Sequence, residues 1–228
     1  MLSTRSQTSI EQKHRPWMQE IEQLSGVPIS EKAQREQYAV VYLLLDISGS
    51  MSQGKLAFLK QGAAAFIRDA FERQHRVGII QFNSHAVLAA EPTRDGEALS
   101  RAIKRLEAGG GTYFVPPLEL GWKGLQAYGG LRSLCLVTDG QSNTGEDSER
   151  AITLATKIKR AGVRVLTIGT EDADRAFLEK IASHTKLATH VPATKLATAI
   201  ADSAKLLPGP NEVATKPRLL SWFRGKGA

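Results

Sequence analysis

The chain has 228 residues, enough for one sizeable core and too few for two large ones. Its 42% hydrophobic and 23% charged side chains exclude a disordered chain as the bulk of the molecule. The net charge of +7 is uneven: residues 1–36 balance at five basic against five acidic, whereas residues 195–228 carry six basic against two acidic. The longest apolar run, residues 39–45, is far shorter than the ~20 residues of a spanning helix. Residues 1–10 lack the apolar stretch of a secretory signal. A single cysteine, Cys135, rules out an intrachain disulfide. Together these features predict a cytoplasmic protein.

Residues 1–9 show no hydrophobic period. Pro16 can open a short helix, with Trp17, Met18, Ile21 and Leu24 on one face and Gly26 and Pro28 ending it. Residues 1–37 thus read as an arm that packs on a body spanning 38–207. Residues 38–45 form an unbroken β-rich run, as in a central strand covered on both faces. Over 55–74, Leu56, Leu59, Ala63, Phe66, Ile67 and Ala70 recur with helical period. Residues 76–82 are an apolar strand. Residues 84–90 follow with almost no linker, so they must return antiparallel, because a parallel return needs a crossover. An amphipathic helix over 95–107 carries Leu99, Ile103 and Leu106, and another helix is predicted over 117–128.

The alternation then repeats. Strands are predicted over 131–137, 163–168 and 187–191. Helices are predicted over 147–161, closed by Gly162, over 174–184, capped by Asp174, and over 194–206, capped by Thr194. Strands separated by helices imply an α/β three-layer sandwich: a mostly parallel central sheet with one antiparallel edge strand, and helices on both faces. Residues 208–228 read as a basic, flexible tail with an apolar cluster at Leu219, Leu220, Trp222 and Phe223. The sequence Thr-Lys-Leu-Ala-Thr occurs at 185–189 and at 194–198, matches no repeat-array period, and is read as coincidence.

The chemistry gathers at strand ends. The first strand runs into Asp46-Ile47-Ser48-Gly49-Ser50. In an open α/β sheet, ligands bind at the carboxyl ends of strands, so a carboxylate and two alternating hydroxyls can converge there. Gly109-Gly110-Gly111-Thr112 lies between two helices, and Thr138-Asp139-Gly140 ends a later core strand. Both belong at the same edge. Two carboxylates and three hydroxyls make an all-oxygen set suited to a hard cation such as Mg²⁺, and leave room for one further anionic ligand.

These three pieces, in this order, resemble the metal-ion-dependent adhesion site of von Willebrand factor A domains, and the resemblance spans about residues 38–207. It implies that Asp46, Ser48, Ser50, Thr112 and Asp139 hold one divalent ion, Mg²⁺ or alternatively Mn²⁺ or Ca²⁺. By that resemblance Ser48, Ser50 and Thr112 are direct or near-direct ligands, and the two aspartates often act through water. It also implies a stand-alone intracellular prokaryotic type that is an adaptor and not an enzyme. A partner Asp or Glu would complete the metal shell, and the partner would be an AAA-type ATPase, a metal-chelatase-like complex or a stress-response gene product.

Rival chemistries fit less well. A phosphatase of the haloacid dehalogenase type needs a second carboxylate two residues after Asp46, where Ser48 stands. A P-loop needs a lysine that the Gly111-Thr112 segment lacks, and an EF-hand needs more carboxylates and a closing glutamate. His14, His75, His85, His184 and His190 show no zinc-ligand spacing and read as surface or satisfied polar residues. The basic tail is the sole feature favouring nucleic acid or a membrane surface.

Overall fold

A computed structural model describes residues 38–52 and 54–209. The arm read over 1–37, and all but the first two residues of the tail read over 208–228, lie outside them.

All eight residues of β1 (Ala39–Asp46) are buried, which is why this stretch is an unbroken apolar run. Successive side chains point to opposite faces. Val41, Leu43 and Leu45 enter one core, and Val40, Tyr42 and Leu44 the other. β1 lies parallel to both β2 (His75–Phe82) and β4 (Arg132–Thr138). Beyond β4 come β5 (Arg164–Gly169) and the short β6 (Ala188–His190), also parallel. On the other side β3 (Ala86–Thr93) turns back antiparallel on β2, giving the order β3-β2-β1-β4-β5-β6.

Among the described residues six α-helices cover the sheet: α1 (Lys55–Glu72), α2 (Gly96–Lys104), α3 (Val115–Leu125), α4 (Gly145–Arg160), α5 (Arg175–Ile181) and α6 (Leu196–Ser203). The first core gathers Leu59 and Phe66 of α1, Leu99 and Ile103 of α2, and Leu196 and Ile200 of α6. The second gathers Leu118 of α3, Ala155 and Ile158 of α4, and Phe177 and Ile181 of α5. This is the three-layer sandwich with one antiparallel edge strand that the sequence predicts. Close approach across the second core depends on small residues. Tyr42 of β1 fits between Gly78 of β2 and Gly124 of α3, where an added Cβ would come within 2.4 and 2.6 Å of its side chain.

Several element ends differ from expectation. β3 runs on through Pro92 to Thr93, which an edge strand tolerates because its outer N–H needs no partner. α3 begins at Val115 rather than residue 117, and α4 at Gly145 rather than 147. The Thr144 hydroxyl caps α4 by accepting from Asp147 N at 3.2 Å. α5 stops at Ile181 because Ser183 exchanges hydrogen bonds with Val165 of β5. Thr194 caps no helix: it lies inside a 3-10 turn, Ala193–Lys195, that leads into α6.

Candidate metal centre

Register brings the first two pieces of the site together. β1 and β4 pair with Leu45 opposite Val137, so Asp46 leaves the sheet next to Thr138. The Thr138 hydroxyl donates to Asp46 Oδ2 at 2.6 Å, and Ser48 N donates to Oδ1 at 2.8 Å. Both Asp46 oxygens are thereby fixed. The chain then makes a 3-10 turn, Gly49–Met51, which swings Ser50 up beside Ser48. Their hydroxyl oxygens lie 3.0 Å apart, and Ser50 Oγ donates to Asp139 Oδ1 at 2.8 Å.

The glycine loop closes over this group. Gly109 N donates to Ile47 O at 2.8 Å and Gly49 N to Gly110 O at 2.9 Å, lacing the two loops together. Gly110 takes φ +84°, a left-handed conformation that side chains rarely adopt. Gly111 lies against Asn143, whose Nδ2 an added Cβ would meet at 2.9 Å. Thr112 follows. The Ser50 and Thr112 hydroxyl oxygens lie 3.7 and 3.8 Å from the point a Cβ on Gly140 would occupy, so they face a common position. All five residues singled out in the sequence thus share one rim of the sheet. Asp46, Ser48, Thr112 and Asp139 are buried and Ser50 is exposed.

The electrostatics of this rim are unusual for a protein interior. Asp46 and Asp139 are each 0% exposed. Burial pushes the Asp46 carboxyl up to about 6, against the hydrogen bonds from Thr138 and Ser48 that lower it and with a further upward push from the Asp139 charge. A charge taken out of water needs a compensating charge close by. Lys55, at the start of α1, supplies one: its Nζ donates to Asp139 Oδ2 at 2.8 Å and to Asp172 Oδ2 at 3.0 Å.

Sequence reasoning missed the residues that hold Thr112 in place. Asn143 Oδ1 accepts from Thr112 N at 2.6 Å, and Asn143 N donates to Thr112 O at 3.0 Å. Asp147 of α4, also buried, accepts from Phe114 N at 2.7 Å, Val115 N at 3.2 Å and the Ser142 hydroxyl at 2.7 Å. α3 has no cap of its own; its first N–H groups are satisfied across the fold by Asp147. The signal was present as Ser142, Asn143 and Thr144 just before a helical run, the residue types that cap helix starts and turns.

Asp46, Ser48, Ser50, Thr112 and Asp139 offer oxygen atoms only, and among the described residues no three His, Cys, Asp or Glu side chains gather in one place. The donor set therefore fits a hard cation at a site with few charged ligands. His14 lies outside the described residues, and the described histidines lie elsewhere: His85 and His184 are exposed, and His190 Nε2 lies 3.3 Å from Ala173 O. His75 departs from expectation. It is fully buried, with Nδ1 3.0 Å from Arg73 O and, among the described residues, no partner for Nε2.

A profile of the von Willebrand factor type A domain matches residues 41–203. The chain belongs to that family. An uncharacterised protein from Synechocystis is 34% identical over 148 residues, which is 62% of this chain and 34% of that protein. The magnesium-chelatase 60 kDa subunit of Cereibacter sphaeroides is 28% identical over 155 residues, 63% of this chain and 28% of that subunit. This chain therefore spans only about a third or less of the curated relatives it matches. Among solved structures, the vWF domain of the type V pili tip protein Mfa5 from Porphyromonas gingivalis superposes with TM-score 0.68 at 13% identity, covering 75% of this chain and 95% of that one. Proximal thread matrix protein 1 from the mussel byssus, with a zinc-occupied MIDAS motif, superposes with TM-score 0.62 at 19% identity, covering 75% and 46%. At these identities the structural likeness establishes the vWA fold. No helix among the described residues is long and apolar enough to cross a membrane.

Proposed function

We propose that this vWA domain is a divalent-metal-dependent protein-binding module in which Asp46, Ser48, Ser50, Thr112 and Asp139 hold one Mg²⁺ or Mn²⁺. The observation that carries the reading is the convergence of two fully buried carboxylates and three hydroxyls on one rim of the sheet, where one of the hydroxyl-bearing residues, Ser50, is exposed. A bound divalent ion supplies a Lewis-acidic position that an outside carboxylate can share. The protein does the positioning. Thr138 and Ser48 N fix both Asp46 oxygens, Ser50 orients Asp139, and Asn143 holds the Thr112 backbone.

The partner we propose is a protein that presents an Asp or Glu to this rim. The magnesium-chelatase subunits among its relatives support a place within a larger assembly, such as one built around an AAA-type ATPase. We read the site as non-hydrolytic, since Ser48 stands where a phosphatase of this layout needs its second acid. Calorimetric titration with Mg²⁺ tests the metal site: the wild type binds and Asp46→Ala does not, and equal binding by both removes the assignment. Capture of a partner in Mg²⁺ but not in EDTA, lost in Thr112→Ala, tests the function.

A further inference from the structure

The two carboxylates that share Lys55 differ in environment. The Asp139 side chain is 0% exposed, that of Asp172 is 64% exposed, and Lys55 itself is 20% exposed. Water and salt screen the Asp172 partnership strongly and the Asp139 partnership weakly. The charge set that matters inside the rim is therefore Asp46, Asp139 and Lys55: two negative charges and one positive. Asp139 divides its oxygens, Oδ1 toward the Ser50 hydroxyl and Oδ2 toward the Lys55 ammonium. A divalent ion held by this set leaves the rim one positive charge in excess, and an outside carboxylate brings the sum to neutral.

We propose that Lys55 is a tethered counter-cation that keeps metal affinity low until an anionic ligand arrives, and that Asp172 moderates it by sharing the ammonium. The proposal rests on reading the rim as a divalent-cation site. It makes Lys55 a positioning and tuning residue acting through Asp139. It also gives a physical reason for an acidic partner: metal and carboxylate each strengthen the other, as linkage requires, and Lys55 sets the size of that coupling.

The sign of the effect separates this role from a structural one. Were Lys55 only a clamp that holds Asp139 in position, its loss would weaken metal binding. As a counter-cation, its loss must strengthen it. The experiment is Mn²⁺ titration of the full chain, with and without acetate, for wild type, Lys55→Met, Lys55→Arg, Asp172→Asn and the Lys55→Met/Asp172→Asn double variant, with melting in EDTA to check folding. Lys55→Met should bind Mn²⁺ on the order of tenfold more tightly and gain less from acetate. Lys55→Arg should behave as wild type. Asp172→Asn should bind roughly threefold more weakly, and lose most of that effect in the double variant, because the two residues act through one contact. Lys55→Met binding no more tightly than wild type, or gaining as much from acetate, overturns the proposal. Should Lys55→Met fail to fold, Asp172→Asn decides alone, and unchanged Mn²⁺ affinity overturns it. A wild type that binds no Mn²⁺ removes the metal reading itself, and the proposal with it.

Discussion

Removing the carboxylate of Asp147 should destabilise the domain by about 3 kcal/mol, although this residue touches none of the five proposed ligands. The side chain satisfies two backbone N–H groups at the start of α3, Phe114 N at 2.7 Å and Val115 N at 3.2 Å, and receives the Ser142 hydroxyl. Phe114 and Val115 are buried, so water reaches neither N–H easily once the carboxylate is gone. A buried donor left without a partner costs roughly 1–3 kcal/mol. Two such donors at about 1.5 kcal/mol each, in the lower half of that range to allow for relief from burying a charge, give about 3 kcal/mol. Roughly 2–4 °C per kcal/mol then predicts a fall in Tm of about 6–12 °C. Urea denaturation of Asp147→Ala at neutral pH measures the loss directly. Asp147→Asn should be nearly as harmful. Oδ1 and Oδ2 both act as acceptors, and an amide would turn an N–H against one of the backbone donors. A loss below about 1 kcal/mol in Asp147→Ala, or near-wild-type stability in Asp147→Asn, would refute the view that α3 is capped across the fold.

Two further predictions concern the body of the sheet. Gly124→Ala places a Cβ within 2.6 Å of the Tyr42 hydroxyl, and overpacking at such a site should cost about 1–3 kcal/mol; chemical denaturation checks it, and an unchanged midpoint would show that Tyr42 has room to move. His75 gives a pH dependence. Burial holds its imidazole down to about 4 from an ordinary 6.5, with the Arg73 and Arg164 charges adding to the effect and the Arg73 carbonyl opposing it. Below pH 6.5 the unfolded chain takes up a proton that the folded chain refuses until about pH 4. The stability is therefore present above 6.5 and lost as pH falls to about 4, by roughly 3 kcal/mol over the window. Denaturation midpoints from pH 7 to pH 4 should fall steeply for the wild type and less steeply for His75→Asn; parallel curves would remove His75 as the cause.

How much of this could be read from the chain depends on the range of each interaction. β1 was legible because a strand buried on both faces must be apolar throughout, and β3 because its short linker forbids a parallel return. Asp46, Ser48 and Ser50 were legible because a strand end and a glycine turn place them together within five residues. Asp139 was legible as a carboxylate ending another core strand and Thr112 as the end of a glycine run between two helices, both at the same sheet edge; the family resemblance then assigned them to one cation with the first three. Asn143, Asp147 and Lys55 stayed hidden, since nothing local says which loops meet. Each looks like an ordinary turn or helix-start residue, and its role appears only once β1 and β4 lie side by side. The ends of α3 and α5 were misplaced because distant groups decide them: Asp147 adds two residues to the front of α3, and Ser183 turns the chain back onto β5 before α5 can continue.

The contacts that build the rim join residues far apart in the chain: Thr138 to Asp46 across 92 positions, Ser50 to Asp139 across 89 and Lys55 to Asp139 across 84. No partly folded chain with β1 and β4 still separate can offer this arrangement. Contacts of such long sequence separation form late and slowly. A cation at the rim would therefore be no nucleus for folding, as zinc is in a small metal-dependent finger, but a late arrival that seals a finished structure. A partner docking there, as proposed, would inspect the protein as it bound, because the surface it would read exists only on molecules that have completed their fold.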